Sequence, residues 1–412
     1  MSQPSRPDPL PLAVTALGLG QITAWGTAYY CLGVLAKPVV ADTGWGLSTV
    51  YFGFTVALLV MGLASTWAGK AIDAYGARRV MALGTVLTSM GLYALSLVHS
   101  QGAWLAAWAF LGVGMRLCLY DAAFAALVQV LPSRGRIAIS YLTLFGAFAS
   151  TVFWVLGHYF NEAIGWRDTL VMFAVINLAV CLPLNWIGLS RREDAARGAE
   201  QKAGAAGSHA PLQGARRAVA MALFALVMSL NGFAFSVVTV QLVPLLEAAG
   251  LGAAAAVWVA SLKGFAQFGG RVVEIVFGRH LRPITVARIA IGVLPLSFLL
   301  LVAAGGNFAA ILVFTLAMGA SQGVITIVRG AVPLQLFGTN GYGTVLGVLA
   351  TPILIVNAIS PTLFALIVDR WGWGVGQAAL VGTTLASCIA IEVMSRWYER
   401  GRATGAAAVS GN

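Results

Sequence analysis

Lys263, Gln267, Arg271 and Glu274 lie at offsets i, i+4, i+8 and i+11 in an otherwise apolar stretch, Trp258 to Pro283. On a helix these four residues share one stripe. A charged side chain at the centre of a bilayer costs several kcal/mol if it faces lipid, so such residues face a bundle interior or a watery cavity. Two cations and an amide in register can bind an anion, and arginine matches the planar geometry of a carboxylate or phosphate. A carboxylate beside them can carry a proton. The plainer reading of Arg271 and Glu274, at i and i+3, is an ion pair along one helix near its inner end.

Three further stripes raise the same question. Arg116 and Tyr120 share a face at i, i+4, whereas Asp121 lies roughly 100° round from Tyr120 and is expected to point toward a neighbouring helix. A carboxylate in low dielectric takes up a proton readily unless a cation compensates it. Asp121 is therefore a candidate proton carrier, the alternative being a permanent structural pair. Gln322, Thr326 and Arg329 form a second stripe at i, i+4, i+7; Arg329 could instead snorkel to the surface. Gln21, Trp25 and Tyr29 repeat at i, i+4, i+8. Aromatic stripes usually serve packing or an interfacial belt, but a glutamine within one favours a cavity wall. Asn231 and Asn357 fit either cavity donors or hydrogen bonds between helices. Arg116, Lys263, Arg271 and Arg329 outnumber Asp121 and Glu274, leaving a charge of +2 within the spans. A net-positive, water-accessible cavity attracts anions. Glu392, a turn from Arg396, is expected at the periphery.

These side chains must be positioned by membrane-spanning elements. Only 9% of the 412 residues are charged and 59% are hydrophobic, against about 25% charged in soluble domains. Apolar windows long enough to cross a bilayer fall near 11–36, 49–69, 80–98, 103–131, 138–160 and 169–190, then near 218–246, 253–277, 285–304, 308–336, 343–368 and 375–398. Between the two sets lies a charged, Gly/Ala-rich linker. The expected organisation is an N-terminal six-helix bundle over 1–189, a cytoplasmic linker over 190–217, a C-terminal six-helix bundle over 218–398 and a cytoplasmic tail over 399–412. The formal charge of +11 would suggest nucleic acid in a soluble chain. Here 18 basic residues fall in alternate loops and only three, Lys37, Arg167 and Arg370, in the others. This asymmetry is the positive-inside signal; it puts both termini in the cytoplasm and leaves no nucleic-acid partner. No secretory leader is expected at Met1 to Leu10. Cys31, Cys118, Cys181 and Cys388 sit in apolar spans without metal-ligand spacing and read as reduced packing residues. No nucleophile–base set, metal cluster or phosphate loop occurs, so neither an enzyme nor a cofactor is expected.

The halves echo each other: Gly165-Trp166-Arg167 recurs as Gly372-Trp373-Gly374, 207 positions later. Weak internal symmetry of this kind marks transporters built from two repeats.

The loop after the second span reads Gly69-Lys70-Ala71-Ile72-Asp73-Ala74-Tyr75-Gly76-Ala77-Arg78-Arg79. It resembles the G-x-x-x-D-R-x-G-R-R signature of the major facilitator superfamily, with Ala74 in place of the first arginine. The resemblance covers nearly the whole chain. It implies an all-α membrane protein of twelve transmembrane helices in two pseudo-symmetric six-helix bundles, working by alternating access. It also implies that Gly69, Asp73, Gly76, Arg78 and Arg79 form a gating latch with a neighbouring helix end, one that in the family holds the outward-open state. The glycine- and proline-rich motif of the family's drug–proton antiporters is missing from the fifth span, FGAFASTVFWVLGHYF. The segment Asp42 to Gly46, the glycines of Leu111 to Met115 and the embedded Arg271 look like the monocarboxylate porter and oxalate–formate exchanger branch. In that branch the corresponding arginine binds the substrate carboxylate. The exchangers' second cation, a lysine on the eleventh span, has no counterpart here.

The expected function is therefore secondary active transport of a small organic anion, a carboxylate above all, across the inner membrane by a monomer. Arg271, Lys263, Gln267, Arg116, Tyr120, Gln21, Trp25, Tyr29, Gln322, Arg329 and Asn357 are the expected substrate contacts. Asp121 and Glu274 are the expected proton couplers. The alternatives are a proton-driven exporter of drugs, arsenicals or aromatic vitamins using the aromatic stripe, and a non-transporting sensor on the same scaffold.

Overall fold

The computed structural model describes residues 8–193 and 211–410, with side chains as far as residue 400. Arg6, Arg197 and Lys202, the middle of the expected linker and the end of the expected tail lie outside the described residues. The described residues contain helices and no strand. In order they are α1 (Pro9–Ala24), α2 (Leu32–Thr43), α3 (Leu47–Tyr75), α4 (Ala77–Ser96), α5 (Gln101–Cys118), α6 (Tyr120–Val130), α7 (Gly135–Gly146), α8 (Ala149–Ile176), α9 (Leu182–Gly188), α10 (Gly214–Ala248), α11 (Ala253–Phe277), α12 (Pro283–Ala303), α13 (Phe308–Phe337) and α14 (Tyr342–Ser410). A π-helical turn, Trp25–Tyr29, prolongs α1, and another, Asn177–Cys181, joins α8 to α9.

Seven helical stretches are long and apolar enough to cross a membrane by length and composition. Two of them, Gly135–Gly188 and Tyr342–Arg400, each contain a non-helical glycine that divides them into two spans, Gly165 (φ 78°) and Gly372 (φ 81°). The first helical pair (α1 with α2), α4 and α11 complete twelve. The charges of α11 that mark it as a candidate site are also what lower its apolar character.

Local chemistry sets the helix ends. Asp8 caps α1 by accepting from the Leu10 N–H (3.0 Å), and Ser100 caps α5 by accepting from Ala103 (3.2 Å). Gly44 closes α2 in the left-handed conformation (φ 70°). Gly76 (φ 84°) makes the sharp turn from α3 to α4 that a Cβ would strain.

The described chain forms two compact units, Met1–Ala210 with Gly338–Thr351, and Pro211–Phe337 with Pro352–Asn412. The first unit thus includes the start of α14. In lipid there is no hydrophobic drive between helices, so close approach comes from small residues and interhelical hydrogen bonds. In the first unit, Gly112 of α5 lies against the Ala57 carbonyl of α3, and Gly114 against the Thr88 backbone of α4. Trp104 donates to the Val50 carbonyl (3.1 Å), Asn177 to the Thr27 hydroxyl (2.8 Å) and Asn185 to the Thr85 hydroxyl (3.1 Å). In the second unit, Gly270, Gly319 and Gly323 bring α11 and α13 into backbone contact. There, Ser321 donates to Ala290 (2.6 Å) and Ser387 to Val227 (3.0 Å). Leu63, Val155, Phe265, Phe277 and Leu296 are among the most exposed large apolar side chains, as befits a protein whose outer solvent is hydrocarbon.

Candidate functional site

In the first unit the aromatic stripe becomes a cluster. The π turn rotates the backbone so that both Tyr29 and Tyr30 reach the Trp25 ring, at centroid distances of 4.7 and 6.1 Å. Such π turns recur at functional sites. Tyr120 closes on the same indole at 5.0 Å, and Tyr29 meets Phe54 edge-on at 4.9 Å. Gln21, buried, accepts from the Trp25 indole (3.0 Å) and donates to the Cys118 carbonyl (2.8 Å). This bond ties α1 to the break between α5 and α6. Trp25, Tyr29, Tyr30, Phe54 and Tyr120 are only half-buried, so the cluster keeps accessible ring surface. The helical spacing in the sequence pointed to Gln21, Trp25 and Tyr29. It missed Tyr30, Phe54 and Trp154, which joins Tyr30 at 6.3 Å, because an ideal α-helix puts residue 30 on another face.

Beneath this cluster Arg116 and Asp121 form a buried ion pair. Asp121 pairs with Arg116 of its own span and not with a cation on another helix, while Tyr342 of α14 also lies within its electrostatic reach. Leu119 adopts an extended conformation (ψ −168°), which interrupts the helix and swings Asp121 back over the end of α5. The run of Leu and Ala residues gave no sign of that break.

In the second unit, Lys263 is half-buried on α11. Its ammonium lies 3.4 Å from the Thr239 hydroxyl and 5.6 Å from the centre of the Phe235 ring. No carboxylate pairs with it among the described residues. Arg271 and Glu274, about two and three turns further, are buried at 6% and 4% exposure. The Nε of Arg271 donates to the Gly323 carbonyl of α13 (3.4 Å). Gln267 is half-buried, and its backbone carbonyl abuts Gly323. The stripe therefore runs along the edge of the α11–α13 seam. Across that seam Gln322 is buried at 2% exposure, with both side-chain amide atoms lacking a hydrogen-bond partner. A buried amide with neither lone pair nor N–H used is unusual enough to need an explanation. Thr326 donates back to the Gln322 carbonyl (3.1 Å), and Arg329 is half-buried. Asn357, with its amide turned to suit its neighbours, donates to the carbonyls of Gly232 (3.0 Å) and Ile353 (3.2 Å). It works between helices of the second unit. Glu392 is held by two bonds from Arg288 (2.6 and 2.8 Å), with Arg396 at 3.9 Å. Its main partner is thus on another helix, not the neighbour one turn away.

The gating-motif residues lie together in the first unit. Asp73 accepts from the N–H groups of Gly343 (3.0 Å) and Thr344 (2.7 Å) and from the Thr344 hydroxyl (2.6 Å), capping α14. Gly69 has no side chain because the Gly343 carbonyl occupies that space. Arg78 stacks on Trp186 at 4.0 Å and donates to its carbonyl (2.9 Å). Gln129 braces the turn, accepting from Ala77 (2.9 Å) and donating to Ile72 (3.0 Å). Nearby, Arg134 binds Asp8 through two nitrogens (2.9 and 2.7 Å) and Glu193 at 3.2 Å. The hydrogen bond to Asp8 raises the Arg134 pKa above its usual value.

At the opposite ends of these spans, Asp42 of the Asp42–Gly46 segment accepts from the Trp166 indole (3.0 Å). Arg167 donates to the carbonyls of Ser96 and Val98 (2.8 Å each) and approaches Asp42 at 3.5 Å. Here the segment that resembles one branch of the family does structural work. The four cysteines are free, and the described residues contain no group of His, Cys, Asp or Glu able to hold a metal.

Among solved structures, the human organic anion transporter MFSD10 (TETRAN) superposes with a TM-score of 0.73 at 16% identity, covering 93% of this chain and all (100%) of its own. The proton:xylose symporter XylE, bound to 6-bromo-6-deoxy-D-glucose, gives 0.69 at 11% identity over 92% of this chain and 94% of its own. The transporter FucP in its outward conformation gives 0.69 at 15% identity over 94% and 99%. No curated protein matches the chain. The family model described as Major Facilitator Superfamily matches residues 17–349. A twelve-span helical fold, the capping Asp73 motif and this match leave one assignment: the chain belongs to the Major Facilitator Superfamily of membrane transporters and is not an enzyme.

Proposed function

We propose that this transporter moves a small organic anion, with a carboxylate as the group recognised, across the inner membrane by alternating access. The observation that supports the reading most is Lys263: a half-buried ammonium on a membrane-spanning helix with no carboxylate partner among the described residues. An uncompensated cation in low dielectric is costly, and an anionic substrate would offset that cost in the loaded state. Gln322, whose buried amide lacks partners, would supply neutral hydrogen bonds. Arg271, on the same face of α11 as Lys263, is the proposed carboxylate contact, and Gln267 and Arg329 would add to it. Asp121 or Glu274 carries the coupled proton. Both termini lie in the cytoplasm and the protein acts as a monomer, within the monocarboxylate and oxalate–formate branch.

The second reading, export of a neutral aromatic compound, draws on the half-buried rings around Trp25. The neighbours' substrates, an organic anion in one and sugars in another, do not decide between these at 16% identity or less.

Uptake of labelled mono- and dicarboxylates into proteoliposomes, with and without an inward proton gradient, separates the readings. The proposal expects gradient-driven accumulation of a carboxylate, abolished by Arg271→Ala in protein that still inserts into the membrane. Wild-type uptake of every anion by that variant would remove the carboxylate contact. Absence of any anion accumulation by folded protein would favour the aromatic exporter.

A further inference from the structure

The ends of α3, α4, α6 and α9 enclose an open cleft of about 620 Å³ lined by Asp73, Tyr75, Gly76, Arg78, Arg79, Gln129, Trp186 and Arg192, with Ala74. Its polar groups are unequally committed. Asp73 is spent on capping Gly343 and Thr344, and Gln129 on Ala77 and Ile72. Arg78 is fixed by its stack on Trp186 and its Nε bond, which leaves the terminal nitrogens of its guanidinium to the cleft. Neither Arg79 nor Arg192 has a carboxylate partner among the described residues. Three arginines against one engaged aspartate give the lining a charge of +2.

The backbone adds to this charge. Arg78 and Arg79 occupy the first turn of α4, which has no acidic residue. The first N–H groups of a helix lack internal partners and carry the positive end of its dipole. Two cations placed there repel that dipole unless an anion sits among them, and helix N-termini are ready anion sites. Tyr75 and Trp186 stand at the rim, exposed at 69% and 47%. Both lie where spans end, the level at which tyrosine and tryptophan face lipid headgroups.

We propose that this cleft binds the phosphodiester headgroup of an anionic phospholipid. Arg79 and Arg192 contact the phosphate, the pre-set Arg78 closes one side, and Trp186 and Tyr75 pack on the glycerol and upper acyl region. Basic pockets among the ends of transmembrane helices on the more basic face of a membrane protein take anionic headgroups in this way. The bound lipid would brace the turn that presents Asp73 to α14. The proposal does not rest on what the protein transports.

The test is native mass spectrometry of delipidated full-length protein titrated with phosphatidylglycerol or phosphatidylcholine. The wild type should prefer phosphatidylglycerol by about tenfold. Arg79→Gln with Arg192→Gln should bring the two lipids within about twofold. Arg282→Gln, which removes one arginine charge from the second unit, should keep the preference. Equal binding of both lipids by wild type, or equal loss in Arg282→Gln, overturns the site. Full displacement of phosphatidylglycerol by millimolar inorganic phosphate overturns the lipid assignment in favour of a soluble phosphate. Should the double variant fail to run as a folded monodisperse species, Arg192→Gln alone, on the exposed segment beyond α9, carries the comparison.

Discussion

Arg116 and Asp121 pair with each other across the break at Leu119, five residues apart on one stretch of chain. Both are almost wholly buried. Removing one partner of such a pair leaves an uncompensated charge and costs about 3–5 kcal/mol, whereas replacing both by neutral groups costs far less. Arg116→Gln and Asp121→Asn should therefore each lower the unfolding temperature in detergent strongly, and the double variant should recover much of the loss. A double-mutant cycle with no coupling would show that the pair does not hold in the folded protein.

The same pair bears on proton coupling. If Asp121 must release Arg116 to take up a proton, Asp121→Asn should abolish gradient-driven accumulation while leaving substrate exchange across the membrane intact. Loss of exchange as well would place Asp121 in substrate binding or structure instead.

Asp73 satisfies two N–H groups of the first turn of α14. Loss of such a cap typically costs about 1 kcal/mol. Asp73→Ala should therefore speed hydrogen exchange at Gly343 and Thr344 by about fivefold. Exchange at Val286 and Ala287, in α12 of the second unit, should stay unchanged. Uniform acceleration through both units would mean global destabilisation and not loss of a cap.

Gly323 and Gly264 offer a paired test of the α11–α13 seam. A Cβ at position 323 would fall on the Gln267 carbonyl, a backbone atom that cannot move aside, while one at 264 meets open space. Gly323→Ala should cost about 1–3 kcal/mol by forcing the helices apart. Gly264→Ala should be neutral or stabilise by up to about 1 kcal/mol through helix propensity. Equal thermal unfolding of the two variants would contradict the packing.

The fold was legible because a bilayer imposes length and apolarity on every span, and because the repeat left a mark at Gly165 and Gly372. Their backbones agree closely, φ 78°, ψ 168° and φ 81°, ψ 169°. A second echo was not visible in advance: Gln129 accepts from Ala77 (2.9 Å) as Gln335 accepts from Ile284 (3.1 Å). The Asp73 latch was read from its motif, but its partners, Gly343 and Thr344, carry no charge and no pattern. Stripe arguments assume an unbroken helix. On α11 that condition is met from Ala253 to Phe277, yet the Lys263 ammonium meets Thr239 and Phe235 of α10 while Arg271 donates to Gly323 of α13. The same arguments failed at Leu119 and at the π turn, where one irregular residue or one extra residue per turn redirects Asp121 and Tyr30. The sequence offered only the near neighbours of Asn357 and Glu392, Ile353 and Arg396, because Gly232 and Arg288, which also hold them, lie more than 100 positions away.

Lys263 separates a binding role from a structural one because the two predict opposite stability effects. A structural cation held by a carboxylate would destabilise the protein when removed. Among the described residues Lys263 meets the Thr239 hydroxyl and the Phe235 ring and pairs with no carboxylate, so Lys263→Met removes a desolvated charge and keeps the apolar stem. Unfolding temperature should stay level or rise. If the ammonium attracts the anion, KM for the transported carboxylate should rise at least about tenfold, with a much smaller change in maximal rate. A fall in stability together with an unchanged KM would assign Lys263 to the fold and move anion recognition elsewhere on α11.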